Sequence, residues 1–518
     1  MANNKALTTL LKKFPLEIVS QVPDVRVKGV TSDSRQVKPG FIFCAIKGAN
    51  SDGLDYAQKA LENGAALIVS NRPLPKGLNV PYLQVEGSMT TALAYLAAAF
   101  YSYPARKLRV IGVTGTDGKT TTTSMIHHIL KSLGIHAGMI STVNALIGDK
   151  EVDTGFHVTT PDSPDIQRYL HAMVQAGITH CVLETTSHGL AQGRVIASEY
   201  DVAVVTNITH EHLDYHGDYQ HYLEAKGLMF ESLKQTAHKR MGNLRVAVLN
   251  KDDQSYGYLK HVSPRNQVSY SMVNEADLWA DDIENLPDQL RFVCRIGTKR
   301  YAVKTPMTGI YNVSNTLAAL GVCVFALKLP ARECIEALAS LPQIPGRMEV
   351  IDMGQNFTAM VDFAHTPNAL QRALETIRGQ VKGRVIAVYG SAGLRDREKR
   401  RMMPKVSVQT ADISILTAED PRTENLGSIL EDMAQAAREV GGVEGETFFR
   451  VPDRREAIRA GVRMANPGDV VVSLGKGHEQ SMCFGTTEYL WDDRTAMRAA
   501  LAEHLGIEGP EMPYLPDA

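Results

Sequence analysis

Cysteine is sparse in this chain: six in 518 residues, at 44, 181, 294, 323, 334 and 483. No two stand in a C-x-x-C pair, so neither a disulfide framework nor a zinc ribbon is spelled out. The six read as buried thiols of a reducing compartment. An excess of either charge is lacking too. With 55 basic and 57 acidic residues the net charge is −2, which favours neither a nucleic acid nor an anionic membrane as partner. Long apolar runs are missing: the longest, around "LAALGVCVFAL", falls well short of the ~20 residues that cross a bilayer. The opening "MANNKALTTLLKKFPLEIVS" holds too short an apolar stretch for a secretory signal. No low-complexity tract and no solenoid-type repeat interrupts the chain. The expectation is a cytoplasmic protein without membrane insertion.

What is present is the material for several cores: 44% hydrophobic and 22% charged residues, in a length that suggests about three domains. Short β-branched runs alternate with helical patterns, among them "LRVIGV", "HCVLET", "DVAVVTNI", "RVAVLN", "RVIAVYG", "ISILTA" and "DVVVSLG". That alternation predicts α/β layers with largely parallel sheets. "FYSYPARKLRV" breaks the pattern near residue 105, and "LPQIPGRMEVID" breaks it again near 345. The predicted units are therefore 1–105, 106–345 and 346–518.

The stretch "VIGVTGTDGKTTTTSMI", residues 110–126, runs from a strand into glycines, a lysine and four threonines. The phosphate-loop pattern is G-x-x-x-x-G-K-[ST] between strand and helix. Gly118, Lys119 and Thr120 match it, while Val113 takes the first glycine's place and glycines stand at 112 and 115. Glycine lets backbone N–H groups converge on phosphate oxygens, and the following helix adds favourable partial charge. Lys119 supplies a point charge, and Thr120 can place its hydroxyl on Mg²⁺. The helix is predicted to end at Gly134.

Two later strand ends carry ionisable groups. "HCVLETTSHGL" places Glu184 at one, and "VAVVTNITHEHLDYHG" places His210, Glu211, His212, Asp214 and His216 at the other. In parallel sheets, function gathers beyond the carboxyl ends of strands, so both should share an edge with the glycine loop. "HEHLDYH" also approaches the dinuclear hydrolase pattern H-x-H-x-D-H, but Tyr215 occupies the final histidine's place. A phosphate loop upstream makes Mg²⁺ rather than zinc the expected ion. Further on, "HYLEAKGLMFESL" predicts an amphipathic helix on which Lys226 has no distinguishing feature.

In this order and spacing, "SDSRQVKPGFIFCAIKG", "GTDGKTTT", "HVTTPD", "LETTSHGL", "HLDYHGD", "HYLEAK", "GIYNVSNTLAALG", "PGRMEV", "VDFAHTPNAL" and "GKGHE" resemble the Mur ligase family over nearly the whole chain. Within it the resemblance is to the branch that adds the third amino acid of the peptidoglycan stem. It implies an N-terminal UDP-binding α/β domain, a central P-loop ATPase domain with a mainly parallel sheet, and a C-terminal Rossmann-like domain for the amino acid. It also implies a chemistry. ATP phosphorylates the D-Glu carboxylate of UDP-MurNAc-L-Ala-D-Glu, and the amine of a diamino acid then displaces phosphate. Gly115, Thr116, Asp117, Gly118, Lys119, Thr120 and Thr121 would hold the phosphates, with Asn315, Arg347, Asp362 and His365 around the nucleotide. Thr120, Glu184, His212 and Lys226 would hold Mg²⁺, Lys226 as a carbamate formed with CO₂. Lys119, Glu184, His212 and Lys226 are the catalytic set. Ser34, Asn50, Thr159, Thr160, Thr186, Gln192 and Arg194 would bind the UDP-linked substrate, although "SDSR" and "TTPD" read alone are turn caps. A monomer is the family's habit.

In the C-terminal region, family members that add meso-diaminopimelate show D-N-P-R where this chain has "EDPR", Glu419–Arg422. Arg422 could grip a second carboxylate. Asp420 instead adds negative charge that favours a bare ammonium, as on lysine or ornithine, and the balance leans slightly that way. Arg395, Gly475 and Glu479 would hold the amino acid's own carboxylate and amine. Other ligases on the same fold, such as one adding glutamate to folate, a non-catalytic scaffold and a zinc hydrolase are the alternatives.

Overall fold

The computed structural model describes residues 4–48, 51–74, 77–148, 150–152, 159–209, 211, 213–286 and 288–516. Among the described residues three larger sheets follow one another along the chain, beside two two-stranded ones. Strands Gly29–Thr31, Phe41–Cys44, Leu67–Ser70 and Tyr82–Gln84 form a parallel sheet of four. An eleven-stranded sheet spans residues 109–305, and a six-stranded one spans 349–474. No helix among the described residues is long and apolar enough to cross a membrane.

The seven β-branched runs picked out above all become strands of the two larger sheets. Their alternate residues face opposite cores. Ile111, Val113, Val182, Val202 and Val204 pack on one side of the eleven-stranded sheet, and Val110, Cys181, Leu183, Ala203 and Val205 on the other. The C-terminal sheet repeats this, with Val385, Ala387, Val470 and Val472 on one face and Ile386, Val388 and Val471 on the other. A strand covered on both faces must be apolar throughout, which is why these runs lack polar alternation.

Strands Ala137–Ile140, His180–Glu184, Arg109–Thr114, Val202–Val205, Val246–Asn250, Gln267–Ser271 and Leu278–Asn285 are neighbours in that order and all parallel. Their carboxyl ends therefore open on one edge. An antiparallel meander, Leu278–Asn285, Leu290–Ile296 and Lys299–Thr305, closes the far side. In the C-terminal sheet, Thr358–Asp362, Val470–Leu474, Val385–Tyr389, Ile413–Leu416 and Phe448–Arg450 run parallel in that order. The expected α/β architecture is the observed one.

Candidate active site

The strand Arg109–Thr114 ends in the glycine loop, and the helix Lys119–Ser132 leaves it. Gly115 and Gly118 take φ of +150° and +82°. Packing also demands glycine there: a Cβ on Gly115 would stand 1.8 Å from Thr206 Oγ1, and one on Gly118 2.2 Å from Asn315 Oδ1. The loop is pinned from the next strand end, where Thr206 Oγ1 and Asn207 Nδ2 donate to Asp117 O at 2.6 and 3.2 Å. Lys119 Nζ folds over the loop onto the carbonyls of Thr116 (2.7 Å) and Gly115 (3.2 Å). The helix ends at Ser132, with Gly134 at φ +73° just beyond it.

Glu184 is buried at the end of the adjacent parallel strand, 1% exposed. Thr120 Oγ1 and Thr142 Oγ1 donate to its Oε1 at 3.0 and 2.9 Å, and Thr142 N donates to Oε2 at 3.0 Å. Arg347 Nη2 reaches Thr120 Oγ1 at 2.9 Å. Clustered hydroxyl and carboxylate oxygens are the hard donors that suit Mg²⁺, which binds through one or two carboxylates together with phosphate oxygens. Among the described residues no group of three His, Cys, Asp or Glu forms a metal cluster. His210, His212 and Asn50 lie outside those residues.

Lys226 is not the solvated lysine its sequence context suggested. It is 1% exposed on the helix Tyr219–Ser232, beneath the loop, with Nζ 2.7 Å from Gly115 O and over the Tyr222 ring. Burial, aided by the charge of Lys119, holds its ammonium well below the usual lysine range, against the pull of Glu211 and Asp117. Burial thus favours the neutral amine, the form that is a nucleophile toward CO₂. Asp117 itself is pushed up, first by burial and then by Glu211.

A cavity of about 230 Å³ lies over the loop. Thr116, Asp117, Gly118, Lys119, Thr120, Thr121, Glu184, Asn315, Arg347, Asp362 and His365 all line it, as do Thr159 and Thr186. Residues from both larger sheets thus share one wall. Asp362 accepts from the amides of Met348 (2.7 Å) and Ala364 (2.8 Å), which fixes the turn bearing Arg347. The Arg347 guanidinium stacks on Phe363. Tyr311, Arg372 and Thr142 also line the cavity and were not singled out from the sequence. Thr142 follows a parallel strand, so the rule about strand carboxyl ends could have found it. Arg372, on the helix Pro367–Arg378, carried no local signal.

The residues assigned to the UDP-linked substrate form two groups. Thr160 Oγ1 lies 3.0 Å from Thr186 Oγ1, and Arg194 Nη1 donates to Thr160 O at 3.0 Å. Gln192 ends the short helix beginning at Ser187, and the neighbouring Gly193 packs against Thr90 of the N-terminal unit. Ser34 is buried in a helical turn that Asp33 caps by accepting from Arg35 N at 2.9 Å, the local role those residue types predict.

In the C-terminal unit, Asp420 is not presented as a free charge. Lys476 Nζ lies 3.1 and 3.2 Å from its two oxygens, and Cys483 N donates to Oδ1 at 2.9 Å. Lys476 is wholly buried and also meets Glu479 at 2.6 Å. Asp420 thus faces an internal cation that it shares with Glu479, a partner the sequence did not indicate. Arg422, with φ +54°, sends Nη1 to Gly393 O at 2.7 Å. Arg395 is exposed on the neighbouring loop. Glu419 is buried and its Oε2 has no hydrogen-bond partner among the described residues; burial pushes its carboxyl up to about 7, although Lys399, Arg454 and Lys476 pull it down. A Cβ on Gly475 (φ +104°) would stand 2.3 Å from that oxygen.

Comparison with known proteins bears on this arrangement. Residues 26–101, 113–323 and 346–477 match the models of the Mur ligase family catalytic domain, the Mur ligase middle domain and the Mur ligase glutamate ligase domain. The chain is 41% identical to a UDP-N-acetylmuramoyl-L-alanyl-D-glutamate–2,6-diaminopimelate ligase of Geobacillus thermodenitrificans, covering 96% of this chain and 99% of that one. It is also 41% identical to a UDP-N-acetylmuramyl-tripeptide synthetase of a Roseiflexus species, covering 93% and 96%. A solved structure of a UDP-N-acetylmuramoyl-L-alanyl-D-glutamate–2,6-diaminopimelate ligase superposes with a TM-score of 0.64 at 31% identity, over 96% of this chain and 99% of that one. With phosphate loop, buried carboxylate and family match coinciding along its length, the chain belongs to the Mur ligase family of ATP-dependent, amide-forming enzymes.

Proposed function

We propose that the chain joins a diamino acid to the D-glutamate carboxylate of UDP-MurNAc-L-Ala-D-Glu, with ATP converted to ADP and phosphate, in peptidoglycan precursor synthesis. The observation that carries this reading is the single cavity shared by the phosphate loop, the Glu184 carboxylate and Arg347 from the next unit. In the first step a carboxylate oxygen attacks the γ-phosphorus and ADP leaves. In the second the amine attacks the acyl carbon and phosphate leaves. Phosphoryl transfer of this kind needs positioning and charge neutralisation above all.

Lys119 and the amides of Gly115–Thr121 hold the phosphates, with Asn315, Arg347, Asp362 and His365 around the nucleotide. Ser34, Asn50, Thr159, Thr160, Thr186, Gln192 and Arg194 take the UDP-linked substrate. Arg395, Arg422, Gly475 and Glu479 take the amino acid, with Asp420 acting through Lys476. Thr120, Glu184, His212 and a carbamylated Lys226 would hold Mg²⁺, which supplies charge neutralisation at the phosphates when bound. Division into units near residues 105 and 345 is part of this proposal, supported by the separation of the three larger sheets along the chain.

The acceptor we assign is 2,6-diaminopimelate. Two of the relatives described above carry it in their names, and the Asp420 carboxylate that argued against a second carboxylate is turned onto Lys476. Mass spectrometry of the product tests the reading. The UDP-dipeptide should gain the mass of one acceptor residue, and ADP formed without that gain would contradict it.

The carbamate makes its own prediction. Exhaustive removal of CO₂ should lower turnover about tenfold or more, as loss of a group orienting a metal does, and bicarbonate should restore it. Turnover indifferent to CO₂ would remove the carbamate from the account.

A further inference from the structure

The amino-acid pocket depends on two strand ends that are not neighbours. Glu419 follows the strand Ile413–Leu416, and Gly475 follows Val470–Leu474. Between them runs Val385–Tyr389, whose two ladders stop at Leu416 on one side and Ser473 on the other, short of Glu419 and Gly475. Beyond the ladders, a side chain joins the two ends directly. Arg454 opens the helix Arg454–Met464 and is 0% exposed. Its Nη1 donates to Ala418 O at 3.1 Å and its Nη2 to Leu474 O at 2.9 Å, the carbonyls just before Glu419 and Gly475. The guanidinium is held from behind by Asp493, with Nε to Oδ1 at 2.8 Å and Nη2 to Oδ2 at 2.6 Å. Asp493 is held in turn by Trp491 Nε1 and Ser473 Oγ, both at 2.8 Å.

We propose that Arg454 is a positioning residue for the incoming amino acid: pinned by Asp493, it ties the carbonyls of Ala418 and Leu474 together and sets the spacing of the two strand ends that lead to Asp420 and Arg422 on one side and Gly475 on the other. The inference rests on the assignment of that pocket to the acceptor. Stability alone does not call for such a group, since a buried ion pair is often matched by apolar side chains of similar volume. Apolar side chains, however, would leave both carbonyls without a donor. Lysine keeps the charge but lacks the planar fork that reaches two carbonyls and a carboxylate at once.

Arg454→Lys and Asp493→Asn, measured beside the unsubstituted protein, test this through separate KM values for acceptor, ATP and UDP-dipeptide. Arg454→Lys should raise the acceptor KM about tenfold or more while the other two stay within about twofold. Asp493→Asn should shift the acceptor KM in the same direction by less, and it decides alone if Arg454→Lys does not fold. KM is independent of the fraction of protein folded, so a merely structural role would lower apparent kcat and thermal stability and leave the acceptor KM in place. That result overturns the proposal, as does an equal rise in all three KM values. Absence of turnover by the unsubstituted protein would instead remove the ligase reading on which this rests.

Discussion

Replacing Lys119 by alanine should lower kcat/KM for ATP by about a thousandfold, near the upper range for loss of one preorganised charge at a reacting phosphate. The ammonium lies across the loop on the carbonyls of Gly115 and Thr116, facing the cavity that holds Thr120 and Arg347. Water cannot replace it, because a solvent dipole must reorganise as charge moves, whereas a fixed ammonium is already in place. Arginine should rescue little: its planar fork does not fit where a compact point charge sits against two carbonyls. Steady-state kinetics with ATP varied check this, and a loss below about tenfold would move the phosphate contacts onto the loop amides alone.

Glu184→Gln should cost about a hundredfold or more in kcat and make turnover need higher Mg²⁺. The substitution keeps the shape and removes the charge. It also creates a local conflict, since both oxygens now accept: Oε1 from two hydroxyls and Oε2 from the Thr142 amide. A glutamine NH₂ placed at Oε2 would face another donor that cannot rotate away, so it must sit at Oε1 and turn both hydroxyls around. A Mg²⁺ titration of both proteins reads the effect. Unchanged Mg²⁺ dependence would separate Glu184 from the metal.

Much of this site is legible in the sequence, because its signals are local. The strand, the glycines and Lys119 lie within a few residues of one another, and the seven apolar runs are apolar because both faces of each strand are covered. Contacts between distant residues left no such mark. Lys226 looks like any helix lysine, and only the seating of its helix under the loop takes it out of water. Asp420 looked like a free charge because its partner Lys476 is 56 positions away. Arg454 was invisible for the same reason, its partners being set by sheet order. The antiparallel meander at 278–305 was also unmarked: it has charged residues on its open side and lacks the continuous apolar runs of the buried strands.

The most direct measurement is ADP release by the purified protein, with ATP and Mg²⁺ present and UDP-MurNAc-L-Ala-D-Glu and 2,6-diaminopimelate each added or omitted, and with L-lysine and L-ornithine in its place. Sustained release only when both substrates are present, with 2,6-diaminopimelate the preferred acceptor, is the predicted result. Release that ignores the UDP-dipeptide, or none with any acceptor, would contradict the account.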